Sequence, residues 1–231
     1  VPPVGGHIGP PTGGTSGVFV TGTGTEVGKT VVAAAIARTL AADGKRVAVF
    51  KPVVTGLDDH PAHRPDHVML REAAGSSQGD DEVTPYRYGP AMSPHLAAQL
   101  AGERIDPERL LATASAAADG ADALVAEGVG GLLVPLAPGY LVRDLAAALA
   151  LPLVVVASPG LGTINHTLLT IEAARGAGLD VAAVVLTPWP EQPSAIEESN
   201  RETIAALGEV RVETLAGLDL GDPASWPPVA V

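Results

Sequence analysis

The sequence predicts a single α/β domain built on a mostly parallel β-sheet with helices on both faces. Two observations carry that prediction. From Gly17 onward, short apolar segments alternate with longer helix-like ones at the spacing of βα units. Several of the short segments are apolar at nearly every position, as strands covered on both faces must be. With 231 residues, 46% of them apolar and 17% charged, the chain can bury one full core, and nothing in it demands a second.

The first predicted strand, Val18 to Thr21, leads through a glycine-rich turn into an alanine-rich helix, Lys29 to Ala42. Arg46 to Phe50 is the second strand. A hydrophilic loop, Leu57 to Pro65, precedes a helix at Asp66 to Ala74 with Asp66 at a capping position. Helices at Pro94 to Ala101 and Pro107 to Asp119, the second alanine-rich over Ala112 to Ala118, lead to the third strand, Ala123 to Ala126. Helix Arg143 to Ala150, strand Leu153 to Ala157, helix Asn165 to Ala177, strand Val181 to Leu186 and helix Ser194 to Leu207 complete the alternation. The tail after Gly217 reads as irregular. Residues 1–16 are dominated by Gly and Pro and lack the basic start and apolar block of a signal peptide, so they are expected to be a disordered leader or a cloning remnant. The folded domain is expected over residues 17–231.

A formal net charge of −12 argues against binding nucleic acid or an anionic membrane, since a phosphate polymer is repelled. The longest apolar run free of glycine, Leu145 to Ala157, is interrupted by Pro152 and too short to span a bilayer. Zero cysteines exclude disulfides, thiolate catalysis and cysteine-held metals, which fits a cytoplasmic protein. Aromatics are 3% of the chain, so Ala, Val and Leu must build the core.

Ligands of such sheets bind beyond the carboxyl ends of the strands. After the first strand comes T-G-T-G-T-E-V-G-K-T, Thr21 to Thr30, the layout of a phosphate-binding loop and hence of a P-loop NTPase-like fold. Backbone N–H groups and the helix dipole make an anion cradle there, Lys29 reaches terminal phosphates and the Thr30 hydroxyl holds Mg²⁺. Thr23 stands where the strict pattern has glycine. Lysine is scarce, with Lys29, Lys45 and Lys51 the only ones among 14 basic residues, and Lys51 follows the second strand as a compact charge beside a phosphate would. Glu127 follows the third strand and precedes Gly128, Gly130 and Gly131, where a Mg²⁺-directed carboxylate belongs; Asp66 is the second such carboxylate, with capping as its alternative role. His60, His63 and His67 with Asp58, Asp59 and Asp66 are too loosely spaced to argue for zinc or nickel, and His95 and His166 read as structural. The helix start near Asn165, after Gly160 to Gly162, is either an anion dock or ordinary loop chemistry.

Together these segments resemble the dethiobiotin synthetase family. The resemblance rests on Thr21 to Thr30, K-P-V-V-T-G (Lys51 to Gly56), M-S-P-H-L (Met92 to Leu96), E-G-V-G-G-L-L-V-P-L (Glu127 to Leu136) and L-G-T-I-N-H-T-L-L-T (Leu161 to Thr170), in order over roughly residues 17–216. It implies a Mg²⁺-dependent ligase that uses a nucleoside triphosphate to carboxylate 7,8-diaminopelargonic acid with CO₂ and close the ring of dethiobiotin. It further implies that Glu26, Val27, Gly28, Lys29, Thr30 and Val31 wrap the triphosphate and that Thr30, Asp66 and Glu127 hold the metal. Asp66, Glu127, Gly128, Val129, Gly130, Thr187, Pro188, Thr214, Leu215 and Ala216 then lie along the nucleotide. Lys29 and Lys51 become catalytic, Thr55 binds the diamine, and Thr163, Ile164 and Asn165 take the substrate carboxylate, in the family across a homodimer interface.

Three positions depart from the family pattern. Val129 replaces alanine, Glu213 to Gly217 aligns loosely, and Thr187-Pro188-Trp189 replaces an Asn-Asp pair that reads adenine, leaving ATP or another nucleoside triphosphate as the co-substrate. Two alternatives share the loop. A cobyrinate-type amide synthetase needs a glutaminase domain with a cysteine, and a partitioning-type switch ATPase needs a second lysine where this chain has Gly24.

Overall fold

The computed structural model describes residues 16–59 and 64–229. The chain runs β1 (Ser16–Gly22), α1 (Lys29–Ala42), β2 (Val47–Phe50), β3 (Val53–Val54), α2 (Asp66–Ala74), α3 (Asp80–Val83) and β4 (Tyr86–Arg87). It continues through α4 (Pro94–Leu100), α5 (Pro107–Ala118), β5 (Ala123–Gly131), β6 (Pro135–Ala137), β7 (Tyr140–Leu141) and α6 (Val142–Leu149). The last part is β8 (Leu153–Ala157), α7 (Thr163–Gly176), β9 (Val181–Trp189), α8 (Ala195–Gly208) and β10 (Val212–Ala216). Six strands pair in the order β10-β9-β8-β1-β5-β2, every pairing parallel.

Alternation along the strands divides the apolar residues into two cores. Val18, Val20, Val49, Val125 and Val154 face α1 and α2, joined by Val32, Ile36 and Leu70. Phe19, Phe50, Leu124, Leu153 and Leu186 face the other way, joined by Leu110, Leu145, Ile171 and Ile204 of α5 to α8. Helix α1 is buried over most of its circumference, and its alanines at 33, 34, 35 and 37 let it lie close to the sheet. At Gly17 a side chain would stand 2.0 Å from the Leu124 carbonyl oxygen, so the tight seam between β1 and β5 requires glycine. Among the described residues no helix is long and apolar enough to cross a membrane.

Several expectations change. Ser16, assigned to the leader, already belongs to β1, with its amide and hydroxyl both donating to the Asp122 carbonyl. Residues 1–15 and the loop residues 60–63, including His60 and His63, lie outside the described residues. The strand predicted at Ala123 to Ala126 continues to Gly131, because its glycine-rich end still pairs with β1 across a register shift, Gly22 opposite Gly131. Glu127 is therefore within a strand rather than just beyond one. Helix α7 starts at Thr163 instead of Asn165, since Gly162 takes the left-handed backbone that opens it. A sixth parallel strand, β10, was not foreseen: it is an edge strand in which Leu215 alone is buried, so it lacks a continuous apolar run. The tail contains a short 3₁₀ turn, Pro223–Ser225, and sends Trp226 and Val229 into the core on the α1 side.

Candidate active site

β1 lies between β8 and β5, so the loop at its carboxyl end opens near the middle of the sheet. Gly28 caps α1 with φ 91°, a conformation that favours glycine, and a side chain there would also meet the Thr187 methyl at 2.8 Å. At Gly22 a side chain would press on Val27 and the stem of Lys29. Lys29 is buried, and its ammonium donates to the Gly24 carbonyl of its own loop at 2.8 Å.

Strand register builds the rest. Val20 is opposite Glu127 and Phe50 opposite Ala126, which brings Lys51, one residue beyond β2, beside Glu127 on the α1 face. The Lys51 amide donates to the Val83 carbonyl at 2.9 Å and fixes the backbone. Its ammonium reaches Glu127 Oε1 at 2.6 Å and Asp66 Oδ2, at the first turn of α2, at 2.5 Å. The Thr30 hydroxyl donates to the same Glu127 Oε1 at 2.9 Å. Glu127 is fully buried, and its Oε2 has no hydrogen-bond partner among the described residues.

Burial alone would lower the Lys51 ammonium pKa, but the Glu127 and Asp66 carboxylates outweigh it and hold it above the ordinary lysine value. Burial lowers that of Lys29. Asp66 also suffers burial, yet Lys51, with help from Thr30, keeps it below the usual carboxylate range. Burial raises Glu127, making it the carboxylate of the pair that protonates more easily.

Lys29, Thr30, Lys51, Asp66 and Glu127 are thus gathered into one cluster. Glu26, exposed with φ 60°, and half-buried Val27 and Val31 belong to the same loop and first helical turn. Gly130 comes within 3.9 Å of the Thr25 hydroxyl, measured from an added side chain, and Val129 packs on the opposite core. At Gly128 an added side chain would meet Val142 and Phe19 in that core. Thr187 is buried with its methyl over Gly28, Pro188 is exposed, and Leu215 sits in the core with Val27 while Thr214 and Ala216 are exposed. Thr55 is half-buried just past β3. At the α7 start the Thr163 amide is already bonded to the Gly160 carbonyl at 3.2 Å and its hydroxyl lies 3.3 Å from that of Thr167, while Asn165 is exposed and Ile164 half-buried. His67 is a buried side chain whose pKa burial lowers below the ordinary histidine value.

Two side chains that support the site escaped sequence reasoning. Gln78 pairs with the outer edge of β2 as a strand would, accepting from the Val49 amide at 2.9 Å and donating to the Val49 carbonyl at 3.0 Å. Asn200 of α8 donates to the carbonyls of Pro159 and Gly160 at 2.8 and 3.2 Å and holds the turn before α7. Both are polar residues with no motif around them. A groove of about 490 Å³ between α4 and the β6–β7 hairpin, lined by His95, Arg104 and Leu136 among others, includes none of the clustered residues.

The donor set fits Mg²⁺. Among the described residues no three His, Cys, Asp or Glu side chains gather to hold a metal, so a cation here would rest on two carboxylates, a hydroxyl, phosphate and water. The orphaned, buried Glu127 Oε2 is an oxygen that such a cation would satisfy.

A central parallel sheet whose middle strand ends in a Gly-Lys-Thr loop, facing two carboxylates and a second lysine, defines a phosphate-loop nucleotide-dependent enzyme. The chain matches the family described as AAA domain over residues 16–218. It shares its fold with the signal recognition particle 54 kDa protein of Aeropyrum pernix, with a TM-score of 0.51 and 19% identity over 91% of this chain and 43% of that one. The cell division protein FtsY of Thermotoga maritima gives 0.53 and 15% over 94% and 65%. Among curated proteins, it is 36% identical to the ATP-dependent dethiobiotin synthetase BioD of Bacillus subtilis, over 83% of this chain and 82% of the relative. Proteins of the same name from Anaeromyxobacter dehalogenans and Rhodococcus erythropolis are 45% and 41% identical, each over 83% of this chain and 85% and 84% of their own. The chain belongs to the ATP-dependent dethiobiotin synthetase family.

Proposed function

We propose that this chain is the ligase of its family, closing 7,8-diaminopelargonic acid and CO₂ into dethiobiotin, a step of biotin biosynthesis, at the expense of a nucleoside triphosphate. The observation that carries the reading is the convergence of Lys51, Asp66, Glu127 and Thr30 beside Lys29 at the mouth of the phosphate loop. One amine of the diamine takes up CO₂ as a carbamate and releases a proton. A carbamate oxygen attacks the γ-phosphorus and expels the diphosphate. The second amine then attacks the carbonyl carbon of the mixed anhydride, phosphate leaves, and the cyclic urea remains.

Glu26 to Val31 wrap the phosphates with backbone N–H groups at the N-terminus of α1. Lys29 neutralises charge on the phosphoryl group in flight, and Lys51 bridges that group and the carbamate. Thr30, Asp66 and Glu127 would hold Mg²⁺, which when bound screens the phosphate oxygens and orients the triphosphate. Thr55 binds the diamine. The amides of Ile164 and Asn165 at the start of α7 take its carboxylate from a second subunit, with Thr163 contributing through its place in the turn. Gly128 to Gly130 act through backbone, while Thr187, Pro188 and Thr214 to Ala216 border the base. These last residues offer no amide side chain to read adenine, so either ATP or another nucleoside triphosphate serves. A homodimer formed by the domain, whose Leu161 beside the α7 start is 97% exposed, completes the site in the cytoplasm.

Purified protein given the diamine, bicarbonate, Mg²⁺ and each of four nucleoside triphosphates is expected to form dethiobiotin with one phosphate released per ring closed. Phosphate release that ignores the diamine with every nucleotide would sink the assignment.

A further inference from the structure

We propose that Lys51 is a resting-state stand-in for the divalent cation: it occupies the two carboxylates that later hold the metal and must leave them when the nucleotide is loaded. The inference rests on the reading that Thr30, Asp66 and Glu127 are the metal's ligands. Its ground is that Lys51 touches two of the three. The ammonium lies 2.5 Å from Asp66 and 2.6 Å from Glu127 Oε1, the oxygen that also accepts from Thr30. A cation about 2.1 Å from those oxygens, the distance Mg²⁺ demands, overlaps the volume of the ammonium. An ion held by those two oxygens and the ammonium cannot be present together.

Charge balance points the same way. At their ordinary charges the two lysines and two carboxylates of the cluster cancel. A divalent ion arriving alone would have to expel a buried, doubly paired ammonium from both of its carboxylates. Arriving with a triphosphate, the same ion brings the anion that receives Lys51. The flexible four-carbon stem allows the move, and β2 and the Val83 contact keep the Lys51 backbone still. Lys29 is kept in a parallel way, by the Gly24 carbonyl at 2.8 Å. Nucleotide loading therefore frees the catalytic lysine, and Lys51 becomes available to the carbamate only after the triphosphate is in place.

The test is Mn²⁺ binding to nucleotide-free protein, read from the electron paramagnetic resonance of free Mn²⁺. Lys51→Met is expected to bind one Mn²⁺ at least about tenfold more tightly than wild type, the scale of a coupling between competing ligands. Adding Glu127→Gln to that variant should abolish the gain. Equal affinities of wild type and Lys51→Met, or a gain that survives Glu127→Gln, would overturn the proposal. If Lys51→Met does not fold, the wild type answers by nitrogen-15 resonance of its lysine ammonium groups, of which the chain has three. Mg²⁺ with a non-hydrolysable triphosphate should shift the Lys51 signal, and an unmoved signal at saturation overturns the exchange. Dethiobiotin formation is measured separately, so its failure would remove the proposed reaction without deciding these outcomes.

Discussion

Lys51 is the residue on which most of the chemistry turns, and its environment shows what its removal costs. Its stem is buried at 3% exposure, and its ammonium neutralises Glu127, which is itself fully buried. Lys51→Ala should therefore have two separable effects. Leaving Glu127 without a counter-charge destabilises the fold by about 3 kcal/mol, the usual result of breaking a buried pair, unless Glu127 takes up a proton. Losing a preorganised cation beside the reacting groups lowers turnover by about 10²–10³-fold. Calorimetric unfolding and single-turnover assays distinguish the two, and turnover within a few-fold of wild type would reject the catalytic role. This constellation was only half legible in the sequence. The lysine scarcity and the glycines after Glu127 marked both residues, but they are 76 positions apart, and only the register of β2 on β5 brings them to 2.6 Å.

At the level of elements, β2 is the instructive case. It is the edge strand that delivers Lys51, and side chains hold it along its outer edge and at its start. Gln78 supplies the hydrogen bonds that a seventh strand would have made at Val49, which also blunts an open edge. At its start, Arg46 clamps Asp122 with contacts of 2.8, 3.2 and 3.0 Å and so aligns β2 with the beginning of β5. The Arg46 hydrogen bonds, and then its charge, hold the Asp122 carboxyl down at about 2. A folded-state value below the ordinary carboxylate value means that the clamp stabilises fully above that ordinary value and is lost as pH falls toward about 2. Asp122→Asn should accordingly be less stable than wild type in urea at neutral pH, with the gap closing as the solution is acidified through that window. A gap independent of pH would show that the clamp works through shape alone. None of this edge bracing was legible beforehand, because Gln78 and Asp122 carry no pattern that distinguishes them from solvated loop residues.

For the molecule as a whole, five apolar strands, four of them inner, and seven of the helices could be read from composition because burial on both faces demands uninterrupted Val, Leu and Ala. What could not be read is the closure of the α1 side, where β10 and the tail complete the core with isolated apolar residues. Trp226 sits at 9% exposure in the cluster that contains Val32 and Ile36, and its indole N–H donates to the Asp219 carbonyl at 2.7 Å. Three residues later the Val229 amide donates to the Thr39 hydroxyl at 2.9 Å, tying the end of the chain to α1. Thr39 lies nine residues beyond Thr30, about 13 Å along the helix from the phosphate loop. The strap therefore bears on stability and not on the reacting groups. Trp226→Ala should cost about 3 kcal/mol, the lower end for deleting a buried aromatic. In a domain of this size that lowers the melting temperature by about 6–12 °C. Turnover per folded molecule at moderate temperature should stay at the wild-type value. A melting temperature unchanged by Trp226→Ala would mean that the tail merely lies on α1, and a fall in turnover without a fall in stability would mean that the strap reaches the site after all.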